Sequence, residues 1–259
     1  MQKMRTGVAL GLWAATVVGA FALGRLTRPL EAAPTPEDLG SALRAALGEG
    51  DALERSRRTA SVLDQLDPGT LPRVLAVYDE MLPVVGESDI RPFVAACVRF
   101  DPVGALDHTL AWPFPTRREM GVVAAIESWA QRDPSAARLA YERIGKQHPD
   151  LRPRLFEGFL AGWVHSGHDG LDAYLAELPP TSLEAAAGTA VGALMRRGGA
   201  EAALGFAERV LRNEAYDARL KRSLFRHATR SVARGDPERA AAWALSHAEG
   251  EYADRKSVV

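Results

Sequence analysis

Two stretches of the chain bring together residues that could do chemistry. The first is His165-Ser166-Gly167-His168-Asp169, where two imidazoles and a carboxylate lie close enough to share a divalent ion. A structural metal site needs about four ligands, so this cluster would need help from elsewhere in the fold. Polar residues are also expected in a turn, where His168 or Asp169 would cap the next helix. The metal or enzymatic reading, with a non-local site including His165 and His168, is therefore the alternative and not the leading one. The other histidines, His108, His148, His227 and His247, are scattered, and no acidic pair is marked as general acid and base. Phosphate loops, dinucleotide loops, zinc-protease motifs and nucleophile elbows are missing from the sequence. No cofactor is implied.

The second stretch is basic. Arg222, Arg226, Arg230 and Arg234 are four residues apart, with Arg219 three before them and Lys221 nearby. On a 3.6-residue helix that spacing drifts by about 40° per step, giving a slowly winding stripe over a helix of roughly residues 215–234. Leu220, Leu224, Ala228 and Val232 would form its buried side. Between residues 196 and 234 there are ten basic and four acidic residues. Such a face could dock to an acidic protein, lipid headgroups or another polyanion. Equally, it is what a solvated helix shows when arginine stems cover apolar surface.

These candidates need a scaffold, and composition bounds it. The chain has 259 residues, 47% hydrophobic and 25% charged, the balance of a folded protein. The net charge of -1 is split. Residues 1–28 carry Lys3, Arg5, Arg25 and Arg28 with no acid, and the rest carries 28 basic against 33 acidic residues. A mildly acidic body argues against nucleic-acid binding. The single cysteine, Cys97, cannot make an internal disulfide and falls in an apolar column, so packing is its expected role.

Residues 7–24 form an 18-residue run without charge, about 27 Å long as a helix. Residues 1–28 thus read as a membrane anchor or signal peptide, residues 29–35 as a proline-bearing linker, and residues 36–259 as the body. Ala20-Phe21-Ala22 is a passable cleavage site, which would give a secreted protein starting at Leu23. The run is longer than most signal cores and ends at Arg25, which favours retention. The positive-inside rule favours an exported body, periplasmic or extracellular. Gly7, Gly11, Ala15 and Gly19 lie on one face of the span, where two copies could approach as a homodimer.

The body is periodic. Asp-Pro pairs at 67, 101, 133 and 236, with Gly167 and Gly199 between them, mark a register with steps of 34, 32, 34, 32 and 37 residues. Four before each mark stand Leu63, Cys97, Trp129, Trp163, Met195 and Val232. Four after stand Leu71, Ala105, Ala137, Leu171, Ala203 and Ala240. Eleven after stand Tyr78, Trp112, Ile144, Leu178, Val210 and His247. These offsets keep to one helical face. Asp is a strong N-cap and Pro suits the first helical position, so each Asp-Pro should open the second helix of a hairpin. Glycine serves the same turn through its permissive dihedrals. Thr35 before Pro36, and Thr181 with Glu184 as a capping box, predict two further helix starts.

The phrases Trp129-Ala-Gln-Arg-Asp133-Pro-Ser-Ala-Ala137 and Ala233-Arg-Gly-Asp236-Pro-Glu-Arg-Ala240 carry the register most clearly. This pattern resembles tetratricopeptide-type, or related HEAT-like, α/α-solenoid repeats. In that family a small residue packs the hairpin, as Ala137, Ala203 and Ala240 would, and prolines such as Pro149 and Pro179 follow the second helix. The resemblance implies an all-α right-handed solenoid of roughly six hairpins whose role is to bind another protein, without catalysis.

Overall fold

The structure, a computed structural model, describes residues 38–167 and 169–247. Segment 7–24 with Gly7, Gly11, Ala15 and Gly19, the linker, the Thr35 cap and His168 lie outside the described residues. No helix among the described residues is long and apolar enough to cross a membrane.

The described residues form twelve helices and no strand, so the fold is all-α. An opening helix, α1 (Asp38–Leu47), packs on the next two, α2 (Ala52–Leu63) and α3 (Leu71–Met81). Then come α4 (Glu87–Val98), α5 (Pro102–Leu110), α6 (Pro115–Ala130), α7 (Pro134–Gln147), α8 (Arg152–Ser166) and α9 (Leu171–Glu177). The chain closes with α10 (Pro180–Arg212), α11 (Ala218–Ala233) and α12 (Pro237–Ser246). α10 is two helices in one, because Gly198 and Gly199 leave helical dihedrals in its middle. Every register mark therefore separates a leading helix from a trailing one: α2 from α3, α4 from α5, α6 from α7, α8 from α9, the two arms of α10, and α11 from α12.

Contacts follow chain order. Each leading helix packs on the next, from α2 to α4, α6, α8, α10 and α11. Trailing helices α5, α7 and α9 wedge against the leading helix that follows them. Polar contacts keep the same step. Arg44–Glu80, Arg91–Glu127, Arg143–Asp107 and Arg154–Glu119 are ion pairs between residues about one repeat apart.

The turns behave largely as their residues require. The Asp101, Asp133 and Asp236 carboxylates accept from the backbone N–H groups of Gly104, Ala136 and Arg239 at 2.8, 3.0 and 2.9 Å, with proline at the first helical turn. Each such cap is worth about 1 kcal/mol. Gly167 ends α8 at φ 73°, and Gly199 sits at φ 64°, ψ -157°, a region open essentially to glycine alone.

Two expected caps are corrected. Asp67-Pro68 does not open α3. The Asp67 carboxylate instead closes a local turn, accepting from the Gly69 and Thr70 N–H groups at 2.8 Å, and α3 starts after Thr70. The Thr181–Glu184 capping box does not form either. α10 begins at Pro180, and Glu184 is drawn away to partners on α11.

The column four after each mark is buried at all six positions, from Ala137 and Ala203 to Leu71. Small residues there let the paired helices close, as expected of Ala137, Ala203 and Ala240. In the column eleven after, Tyr78, Trp112, Ile144 and Val210 are buried while Leu178 and His247 stay partly exposed. Pro149 follows the C-cap of α7, and Pro179 follows that of α9.

The tightest crossing is α6 on α8. A Cβ added to Gly162 would lie 2.2 Å from the Glu127 carbonyl oxygen and 2.8 Å from Ala130 Cβ. That clash is with backbone, so relief would require the helices to separate. Gly162→Ala should destabilise the fold by about 1–3 kcal/mol, the usual range for overpacking. Gly205→Ala is the control, since nothing lies within 4 Å of its added Cβ and its φ is not positive. It should stabilise by up to about 1 kcal/mol through helix propensity. Thermal unfolding of both variants should shift the midpoint in opposite directions.

Candidate functional site

A recess runs across one face of the leading helices. It has a volume of about 630 Å³ and takes residues from α4, α6, α8 and α10. Met120 and Val123 of α6 and Gly158 and Ala161 of α8 form an apolar floor. The floor is shallow because the two helices nearly touch there: a Cβ on Gly158 would meet the Val123 carbonyl oxygen at 3.1 Å.

Charged residues line the rims. Arg91 pairs with Glu127, and Arg154 pairs with Glu119 at 3.4 Å and with Glu157 at 3.0 Å. These rim charges are already satisfied. At the two ends, Glu87 on α4 and Arg196 on α10 are exposed, and no ion pair to either forms among the described residues. The middle of the groove thus holds two cations against three carboxylates, one acid in excess, between Glu87 at one end and Arg196 at the other. His165 also lines it. Its Nδ1 donates to the Ala161 carbonyl at 2.7 Å, and Nε2 makes no hydrogen bond among the described residues. That tautomer follows from the carbonyl, which can only accept.

His165 is thus placed in a groove. No group of three His, Cys, Asp or Glu residues suited to a metal ion occurs among the described residues, and His168 lies outside them. Cys97 is buried, and burial pushes its thiol up to about 12, so it is protonated and inert at neutral pH. Asp89, 3% exposed, lies 3.3 Å from Arg55 between α2 and α4, a buried pair that ties two leading helices.

The basic stripe falls on α11 as expected, with Leu220, Leu224, Ala228 and Val232 fully buried behind it. All five arginines, Arg219, Arg222, Arg226, Arg230 and Arg234, are exposed. Two are paired: Arg219 with its neighbour Asp217 at 3.1 Å, and Arg226 with Glu184 across the hairpin boundary. Among the described residues no carboxylate pairs with Arg222, Arg230 or Arg234.

A recurring arginine escaped the sequence reading. Two residues before a mark, Arg99 donates to the Leu63 carbonyl at 2.5 Å, and Arg197 donates to the Val164 carbonyl. Both cap the end of the preceding leading helix, satisfying carbonyls that helix termini leave open.

Glu184 collects three partners from α11. Burial pushes its carboxyl up, but hydrogen bonds from Ser223 at 2.9 Å and His227 at 2.7 Å, with Arg226, outweigh that and hold it below its ordinary value of 4.5. A depressed carboxyl stabilises the fold fully above the unfolded value, and that contribution is lost as pH falls through the folded one. Glu184→Gln should cost about 1 kcal/mol at pH 7, after discounting for solvent screening of a half-exposed group. Denaturant titrations should show the gap between the two proteins closing below about pH 4.

Compared with protein-family models, curated proteins and solved structures, the chain matches none.

Proposed function

We propose that the chain is a membrane-tethered helical-repeat scaffold that holds an extended stretch of another protein in the groove of α4, α6, α8 and α10. The observation that carries this reading is the groove's makeup. An apolar floor lies between rims whose charges are already paired, with one uncommitted charge at each end. A floor of small and flexible apolar groups suits a polypeptide that presents a few side chains downward. The end charges favour a segment with a basic residue near Glu87 and an acidic one near Arg196. Long-range contacts at one-repeat spacing support a solenoid, an architecture that builds extended binding faces from stacked neighbours.

The tether belongs to the same proposal. The uncharged run at residues 7–24 and the flanking positive charges favour an anchored, exported body. If the anchor is retained, its small-residue face would present the scaffold as a pair.

The test uses the full chain in membranes. A photo-crosslinking residue at Thr116, on the groove wall, should capture one discrete partner. Glu87→Lys with Arg196→Glu should abolish that capture while leaving the melting temperature within a few degrees, since both side chains are exposed. Loss of the acceptor band in the charge-reversed chain supports the groove. Capture that survives charge reversal, or no discrete band at all, contradicts it.

A further inference from the structure

The outer edge of the fourth hairpin carries a second recess. Helix α9 has only 7 residues, whereas the corresponding helix of the preceding hairpin, α7, has 14. Pro179 and Pro180 stop α9 and start α10 at once. The missing turns leave the side of α7 and the start of α8 uncovered, and the result is a half-open cavity of about 540 Å³. That volume is within the range of small-molecule sites.

The walls are aromatic and aliphatic. Tyr141, Phe156 and Tyr174 face the cavity with Leu178, and Tyr141 and Phe156 meet at 5.5 Å between ring centres. Three cations line it. Arg138 lies over the Tyr174 ring at 4.8 Å and is held by Glu142 at 3.0 Å and Glu177 at 3.4 Å. Arg152 is different: its stem lies 3.1 Å from where a Gly145 Cβ would be, and the nearby Tyr141 phenol is the main influence that raises the pKa of its guanidinium. Glycine at 145 makes room for the stem. Neither Arg152 nor the adjacent Lys146 has a carboxylate in ion-pair contact among the described residues. With both acids already on Arg138, the three cations leave the site with a net charge of about +1.

We propose that this cavity binds a carboxylate carried on an aromatic or branched apolar group, with Arg152 and Lys146 taking the carboxylate and the Tyr141–Phe156–Tyr174 wall taking the apolar part. A net charge near +1 matches a monoanion better than a phosphate dianion. The same chemistry is offered by a small organic acid and by the C-terminal residue of a polypeptide. This site shares no lining residue with the groove and does not rest on the scaffold reading.

Calorimetry on the intact chain tests it with 3-phenylpropionate, its amide, phenyl phosphate, and a tripeptide ending in phenylalanine with a free or an amidated C-terminus. Saturable binding of a free carboxylate, weakened at least tenfold in its amide, is expected. Lys146→Ala with Arg152→Ala should weaken it by a similar factor; both side chains are exposed, and an unchanged melting temperature shows the variant is folded. Binding of the tripeptide alone assigns the site to polypeptide C-termini, and equal binding of both acids assigns it to small acids. Equal affinity for the amides, tighter binding of phenyl phosphate, indifference to the double substitution, or no binding of either acid overturns the proposal.

Discussion

Reversing the chain after each leading helix creates one recurring electrostatic problem. The first N–H groups of the trailing helix and the last carbonyls of the leading one are left without intrahelical partners. At three marks an Asp carboxylate answers the N–H groups and the following proline removes one of them. At two marks a glycine with positive φ turns the chain, and at 199 it does so, with Gly198, between the two arms of α10. The open carbonyls of α2 and α8 are met from the next repeat, by Arg99 and Arg197. The caps thus do two jobs, since an arginine that ends one helix also docks its neighbour.

Once the reversals are set, the leading helices have to stack, and their separation decides the surface they present. Gly158 and Gly162 bring α8 against the backbone of α6. That approach leaves a shallow floor without bulky side chains and pushes the charged residues out to the rims. There they pair across the repeat, Arg91 with Glu127 and Arg154 with Glu119. Surface pairs of this kind add little stability. Their effect is to leave only one acid in excess along the middle of the groove, between Glu87 at one end and Arg196 at the other.

Much of this organisation was readable beforehand because it is local. The six marks, the buried column four residues after each and the apolar back of α11 follow from spacing and from what Asp, Pro and Gly do at a turn. What escaped was set by residues far apart in sequence. Glu184 matches a capping-box pattern, yet Ser223, Arg226 and His227 claim it once α11 packs alongside. Asp67 matches the mark but is followed by Gly69 and Thr70, which make a tighter local turn. The groove takes residues from Glu87 to Arg196, so no window of sequence contains it. The recess beside α9 leaves one local trace, the Pro179-Pro180 pair, whose consequence depends on how long the neighbouring helices are.

A nearest-neighbour stack of repeats, as proposed for this chain, should lose structure from the ends inward. Native-state hydrogen exchange on the full chain measures this directly. The greatest opening free energies are expected in α6 and α8, which are packed between hairpins on both sides and cross most closely, with lower values toward α1 and α12. Amides of α12 opening with the same free energy as those of α6 and α8, in one global event, would contradict a nearest-neighbour stack.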